Sequence, residues 1–219
     1  MIIFYRIPNE SPNMIKISIM LKEIGLPYVE KIVSNDDDHN ELEEISPNGT
    51  TPAMVDTETG ATLFESVAIL LYLAEKSGRL IPSDNKSRAN VFKWLMFESA
   101  NVCPTMIELH HYIMNDVGQF PDSIIERYKK RLGHYCTILN ESLKDCTYLA
   151  DEYSIADIVM YPWLVTLKDM AEIDIADYEY LSRWATNISD HLKSMQSAQA
   201  TTARRDWCYE NNEFVFCSA

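Results

Sequence analysis

The sequence has no Cys-x-x-Cys pair and few basic residues. Its five cysteines are odd in number and widely spaced, so they predict neither a disulfide framework nor a zinc site. Lysine and arginine number 19 against 33 aspartates and glutamates, which gives a net charge of −14. A surface of that sign repels nucleic-acid phosphates and anionic lipid, so we expect neither as a partner.

Long hydrophobic runs are also missing. The most apolar run, VAILLYLA, is too short to cross a bilayer, and the start MIIFYRIPNE meets charge and proline too early for a signal peptide. We therefore expect a cytoplasmic chain with reduced thiols. Hydrophobic residues still make up 47% of the 219 residues, which suffices for a packed core in one large or two small domains.

The first third of the chain alternates between strand and helix patterns. Strands are predicted in MIIFYRI, PYVEKIVS, PAMVD and ATLFE, and helices in NMIKISIMLKEIG and SVAILLYLAEKSG. The acidic segment NDDDHNELEEI predicts a loop that runs into a further short helix. The order β-α-β-α-β-β-α indicates an α/β domain of thioredoxin-like type, with a mixed four-stranded sheet and helices on its faces.

After the polar segment RLIPSDNKSR the pattern is almost purely helical, which predicts an all-α helical bundle as a second domain. The last stretch, RRDWCYENNEFVFCSA, loses the helical period. We expect a thioredoxin-like domain over residues 1–78, a linker over 79–87, an all-helical domain over 88–202 and a C-terminal tail over 203–219.

Pro52 opens a predicted strand directly after Thr51. Proline in strands is confined to edges, first residues and bulges, so an ordinary trans proline explains it. The alternative is a cis bond that turns the backbone groups of Thr51 outward, where an extended peptide ligand pairs with them as an added strand.

Glu65 and Ser66 stand at the start of a predicted helix. Ser66 suits the N-cap position, and free N–H groups at a helix N-terminus attract a carboxylate. Glu65 beside it carries the charge that pairs with an ammonium group. Together they suit an amino-acid head group, although a plain cap with an exposed glutamate is the commoner explanation of such a pair.

Two segments carry a family resemblance. The first, SPNGTTPAMVD followed by LFESVAILLYLAEKSG, resembles the glutathione-site half of cytosolic glutathione transferases. The second, YLADEYSIADIVMYPWL, resembles the helical-domain core of that family, with Ser154 and Asp157 spaced as a capping box. The similarity covers about residues 1–200 and is greatest to the bacterial nu class and its Ure2-type relatives.

The resemblance implies a glutathione transferase fold that binds glutathione as co-substrate. It implies that Thr51, before a cis Pro52, pairs with the cysteinyl backbone of glutathione, and that Glu65 and Ser66 hold its γ-glutamyl end. Thr50 replaces a lysine that often meets the glycyl carboxylate in the family, so we expect that contact to be missing.

The thiol of glutathione must also be activated, because an ordinary thiol is mostly protonated at neutral pH. Alignment of SPN with the nu-class TPN implies Ser11 as the hydroxyl donor and Asn13 as its amide partner. Both residue types are also common in turns and caps. The preceding loop is about two residues longer than in the nu class, so Asn9 competes with Ser11. Tyr5, the other hydroxyl, is assigned to the first strand.

Arg127, in the segment IERY, matches a nu-class arginine near the glutathione site. An exposed arginine paired with a neighbouring acid explains it equally. No metal site is predicted. The earliest cysteine, Cys103, falls in the helical domain, so we expect any reductase activity to use the sulfur of glutathione itself.

The resemblance thus implies a homodimeric glutathione transferase whose glutathione thiolate attacks a small electrophile or a disulfide. Glutathione-dependent disulfide reduction is the activity associated with the nu class. Two alternatives remain at this point. One is a glutathione-dependent isomerase, although the expected SSCS-like loop is missing. The other is a non-catalytic relative that acts through protein contacts.

Overall fold

A computed structural model describes residues 1–8, 11–114, 120–200, 207–210 and 213–216, with side chains to residue 195. The first domain contains a single four-stranded sheet and three helices. Its elements are β1 (Ile2–Arg6), α1 (Pro12–Ile24), β2 (Tyr28–Ile32), α2 (Asp36–Ile45), β3 (Ala53–Asp56), β4 (Ala61–Phe64) and α3 (Ser66–Ser77). The predicted order of strands and helices is confirmed.

The sheet has the strand order β2-β1-β3-β4, with β1 parallel to β2 and the other two pairings antiparallel. In β1, Ile2 and Phe4 are fully buried beneath α1 and α3. Tyr5 faces the other side, where it packs with Leu42 of α2. The alternation of side chains along the strand therefore builds a core on each face of the sheet.

Local sequence signals explain most helix ends. Helices α1 and α3 end at Gly25 and Gly78, which have φ of 70° and 64° and take the left-handed conformation that glycine adopts at no steric cost. The acidic segment near residue 36, predicted as a loop, is instead the first turn of α2, capped by Asn35. Acidic side chains are favourable there because the helix N-terminus carries partial positive charge.

The described residues of the second domain form helices joined by turns, as predicted. A π-helical turn, Glu98–Val102, joins two of its helices without a loop. Helix α4 begins at Asn85, which is inside the predicted linker. The helices are α4 (Asn85–Phe97), α5 (Cys103–Met114), α6 (Asp122–Ser142), α7 (Ile155–Val165), α8 (Leu167–Ala171) and α9 (Glu179–Ala200).

Helix α7 is the central helix of this domain, with nearly every residue buried. The predicted capping box is present: the Ser154 side chain caps the helix and the Asp157 carboxylate accepts from the Ser154 backbone N–H at 3.0 Å. Asp157 also accepts from the backbone N–H of Leu149 and the indole of Trp184. The cap therefore anchors the helix to two other segments.

The two domains share one hydrophobic core. Helix α1 packs against α3 on one side and α7 on the other, and the backbone N–H of Ile155 donates to the Leu80 carbonyl. In the tail, β5 (Trp207–Glu210) and β6 (Glu213–Phe216) pair antiparallel. No helix among the described residues is long and apolar enough to span a bilayer.

Candidate active site

A cleft of about 580 Å³ lies between the two domains, a volume in the usual range for small-molecule sites. Its first wall comes from the start of α1, the segment before β3 and the start of α3. Its second wall comes from α4, the π-helical turn and α5. The first wall includes Asn13, Thr50, Thr51, Pro52, Glu65 and Ser66, and the second includes Met96, Glu98, Ser99, Cys103 and Ile107.

Five of the residues predicted from the sequence meet in this cleft, although up to 53 positions separate them along the chain. They come from three separate segments that the sheet topology brings to one edge. They are Asn13, Thr51, Pro52, Glu65 and Ser66.

The backbone around the first wall has two unusual features. The Thr51–Pro52 peptide bond is cis. Glu65 has φ of 69°, which is uncommon for any residue other than glycine. Such a conformation costs about 1–3 kcal/mol and is often found at ligand sites. Glu65, not Ser66 as predicted, is the N-cap of α3, and its side chain makes no cap hydrogen bond.

The Asn13 side chain is the polar centre of the cleft. Its Oδ1 accepts from Lys16 Nζ at 2.6 Å and from Ser66 Oγ at 3.4 Å. Because an ammonium group can only donate, this contact requires the carbonyl oxygen to face Lys16. The amide nitrogen then points away, and Nδ2 lies 3.8 Å from the sulfur of Cys103. The amide nitrogen of Asn13 therefore faces Cys103, which lies on the second wall of the cleft.

Lys16 is fully buried and paired across the domain boundary. Its ammonium lies 2.6 Å from Oε1 of Glu98, which also accepts from the indole of Trp163 at 2.6 Å. Burial lowers the pKa of Lys16 and raises the pKa of Glu98, while the attraction between the two charges opposes both shifts. Glu98 Oε2 is buried and has no hydrogen-bond partner among the described residues.

Sequence reasoning missed both Glu98 and Cys103 as residues of the cleft. Glu98 lies in the π-helical turn, and turns of this type are frequent at functional sites. A usable signal was available for Lys16, because it stands on the same helix face as Ile19 and Met20, which are apolar and buried. A charged residue on such a face needs a buried partner of opposite sign.

Other predicted residues lie outside the cleft lining. Ser11 is the N-cap residue of α1, half-buried next to the cleft, and its side chain does not cap the helix. Arg127 is exposed on α6. The Tyr5 hydroxyl donates to Glu41 at 2.6 Å, so it is engaged on the opposite face of the sheet. Asn9 lies outside the described residues.

A thioredoxin-like sheet whose edge is covered by an all-helical domain, with polar residues facing the cleft between them, defines the class of glutathione transferase folds. Comparison with known proteins agrees. The glutathione S-transferase N-terminal domain model matches residues 10–76, and the C-terminal domain model matches residues 102–191.

The disulfide-bond oxidoreductase YfcG of Escherichia coli is 34% identical over 189 residues, which covers 81% of this chain and 86% of that protein. Two solved structures are also similar. A Pseudomonas putida glutathione transferase with glutathione disulfide bound gives a TM-score of 0.76 at 33% identity, covering 85% of each chain. A glutathione transferase family member from Pseudomonas fluorescens, with two glutathiones bound, gives a TM-score of 0.77 at 32% sequence identity. The similarity covers 85% of this chain and 87% of that chain. The chain belongs to the glutathione S-transferase family.

Proposed function

We propose that this protein is a glutathione-dependent enzyme that reduces disulfides, with transfer of glutathione to an electrophilic carbon as its related activity. The observation that carries the proposal is the Asn13 amide. Its oxygen is occupied by Lys16, and its nitrogen, which carries two N–H groups, faces Cys103 on the second wall of the cleft, so a donor is available to a sulfur anion. Relatives named as disulfide-bond oxidoreductases and structures with glutathione bound support the same function.

Glutathione lies along the first wall of the cleft in this proposal. Glu65 pairs with the γ-glutamyl ammonium, and the first N–H groups of α3, at Ser66, bind the γ-glutamyl carboxylate. The backbone of Thr51, which precedes the β3 ladder, pairs with the cysteinyl backbone. Thr50 lines the cleft without a charge, so the glycyl carboxylate has no lysine at that position. Arg127 is exposed on α6 and does not line the cleft, and its role in binding stays a prediction.

The thiolate of bound glutathione is stabilised by the start of α1. Asn13 Nδ2 and the Ser11 hydroxyl donate to the sulfur, and the positive end of the helix dipole favours its charge. The thiolate attacks one sulfur of the substrate disulfide and expels the other as a thiol after protonation. A second glutathione then attacks the mixed disulfide, which releases the second substrate thiol and glutathione disulfide.

Calorimetric titration with reduced and oxidised glutathione tests the proposal. We expect both to bind, and oxidised glutathione to bind at least as tightly because both its halves fit the cleft. Glu65→Gln keeps the shape and removes the charge, so it weakens binding of both forms about tenfold or more. Glu126→Gln, on the exposed face of α6, is the matched control and leaves binding unchanged. The proposal fails if neither form binds at millimolar concentration.

The same proposal includes a homodimer and a cytoplasmic location. Phe64 of β4 and Phe92 of α4 are apolar and exposed in the single chain, which favours their burial by a second copy. Light scattering coupled to size-exclusion chromatography tests this point. A mass of 25.2 kDa, that of one chain, at micromolar concentration contradicts the dimer.

A further inference from the structure

Cys103 is a free thiol on the second wall of the cleft. Its sulfur lies 3.8 Å from Asn13 Nδ2 and 3.9 Å from Asn13 Oδ1, although 90 positions separate the two residues along the chain. The thiol therefore faces the amide that, in the proposed function, contacts the glutathione sulfur. Two atoms that contact the same amide lie close to each other, so a glutathione sulfur at this place is a neighbour of Cys103.

Glu98 supplies an independent sign of a ligand on the same wall. The residue is 1% exposed and lines the cleft, yet its Oε2 accepts no hydrogen bond among the described residues. A buried carboxylate oxygen without a donor is costly, so a ligand with N–H groups is favoured there. Glutathione disulfide has two halves, each with an ammonium and amide N–H groups. If one half lies along the Glu65 wall and the other along the Glu98 wall, the central disulfide lies between them.

We propose that Cys103 is a modification site, at which glutathione disulfide bound in the cleft transfers one glutathionyl group to the thiol. This inference rests on the proposed function, because it requires that the cleft bind glutathione. The Cys103 thiolate attacks one sulfur of glutathione disulfide, and an Sγ–S bond forms as the S–S bond of the ligand breaks. The electron pair leaves with the second glutathione, which takes up the proton that Cys103 lost. Cys103 is oxidised and one glutathione is released in reduced form.

The consequence is a redox-dependent block of the cleft. The glutathionyl group on Cys103 occupies the space that the substrate disulfide needs, so the modified protein is inactive. Reduced glutathione reverses the step by attack on the mixed disulfide and restores the free thiol. The enzyme is thus switched off when glutathione disulfide accumulates.

The rate of modification has a defined pH dependence. Burial and the nearby carboxylates of Glu98 and Glu65 raise the pKa of Cys103, while Lys16 and the Asn13 amide act in the opposite direction. Since the thiolate is the attacking form, the rate rises about tenfold per pH unit below the pKa of the thiol. We expect that rise to continue above pH 9, the ordinary value for a thiol. A plateau near pH 7 contradicts this environment for the thiol.

The test treats the full chain with glutathione disulfide and follows the mass of the intact protein, with peptide mapping of the adduct. We expect one glutathionyl group on Cys103, a rate that saturates with glutathione disulfide, and suppression by S-hexylglutathione. Cys103→Ser abolishes this adduct. Cys146→Ser, a half-buried cysteine away from the cleft, is the matched control and leaves it unchanged.

The outcomes separate this inference from the proposed function. If calorimetry detects binding of glutathione disulfide but Cys103 stays unmodified, the inference is wrong and the proposed function stands. An adduct that forms without saturation, or that maps only to another cysteine, also overturns it, because the cleft then does not direct the reaction to Cys103. If neither form of glutathione binds, the proposed function and the inference fail together.

Discussion

At the scale of single residues, the Asn13 side chain has the most defined chemical setting in the cleft. A free asparagine amide can turn over and present either atom. Here Lys16 holds the oxygen at 2.6 Å and the Ser66 hydroxyl approaches the same atom. The orientation of the amide is therefore fixed before a ligand arrives, which is the condition under which a donor stabilises charge at low cost.

Replacement of Asn13 by alanine removes this donor. We expect disulfide reductase activity to fall about 100-fold, the effect typical of losing one preorganised donor to a developing or bound anion. The pKa of the bound glutathione thiol should rise, because its thiolate loses a hydrogen bond. Ultraviolet titration of the thiolate, with glutathione bound to the protein, measures the pKa of the thiol. An unchanged thiol pKa with intact binding removes Asn13 from the mechanism.

A separate prediction at the same scale concerns Ser11. Its hydroxyl does not cap α1, so it remains available to a ligand. Ser11→Ala should raise the pKa of the bound thiol, and Ser11→Thr should restore it because the hydroxyl is kept. If both variants behave like the unaltered protein, another group donates to the sulfur.

At the scale of secondary-structure elements, the start of α7 shows most clearly how one buried side chain holds several segments together. The Asp157 carboxylate is fully buried and accepts from two backbone N–H groups and from the Trp184 indole, all at 2.8 to 3.0 Å. It therefore fixes the helix start, the segment at Leu149 and helix α9 at one point.

Asp157→Ala leaves these three donors buried without an acceptor. Each unsatisfied donor costs about 1–3 kcal/mol, and we expect a total loss of about 3–5 kcal/mol in the free energy of unfolding. Urea denaturation measures the loss. Asp190→Ala is the control, since Asp190 is exposed on α9 and its ion pair with Lys193 is long, at 3.6 Å. Equal stability of the two variants contradicts the structural role of Asp157.

At the scale of the whole molecule, the Lys16–Glu98 pair connects the two domains. Lys16 belongs to α1 of the first domain, and Glu98 to the π-helical turn of the second, 82 positions later. Buried ion pairs add little net stability, because desolvation of both charges offsets their attraction. The Lys16 ammonium also donates to Asn13 Oδ1, so we expect the pair to hold the Asn13 amide in its orientation in the cleft.

Two variants distinguish a role of the Lys16–Glu98 pair in positioning Asn13 from a role in the stability of the fold. Lys16→Met leaves the Glu98 charge buried alone, and we expect a loss of about 3–5 kcal/mol in the free energy of unfolding. Lys16→Met with Glu98→Gln removes both charges and should recover most of that stability. Reductase activity should stay low in the double variant, because the Asn13 amide is then free to turn. Full recovery of activity together with stability would mean that the pair is only structural.

Much of this fold could be predicted from the sequence. Apolar periodicity, the glycines at 25 and 78, and the capping box at Ser154 are local features, and each acts within a few residues of the chain. They determined the order of strands and helices, the helical second domain and, together with the family resemblance, the segments that meet at the cleft. The acidic start of α2 was missed although the preference of helix N-termini for acidic residues predicts it.

Only the tertiary structure decided the second wall of the cleft. Lys16 with Glu98, and Asn13 with Cys103, are separated by 82 and 90 positions, and no local pattern encodes contacts between residues so far apart. Their positions depend on how α1 packs between α3 and α7 and on the turn that joins α4 to α5. The elements thus follow from short-range chemistry, whereas the environment of each polar group follows from long-range packing, which sets burial, charge and access to a ligand.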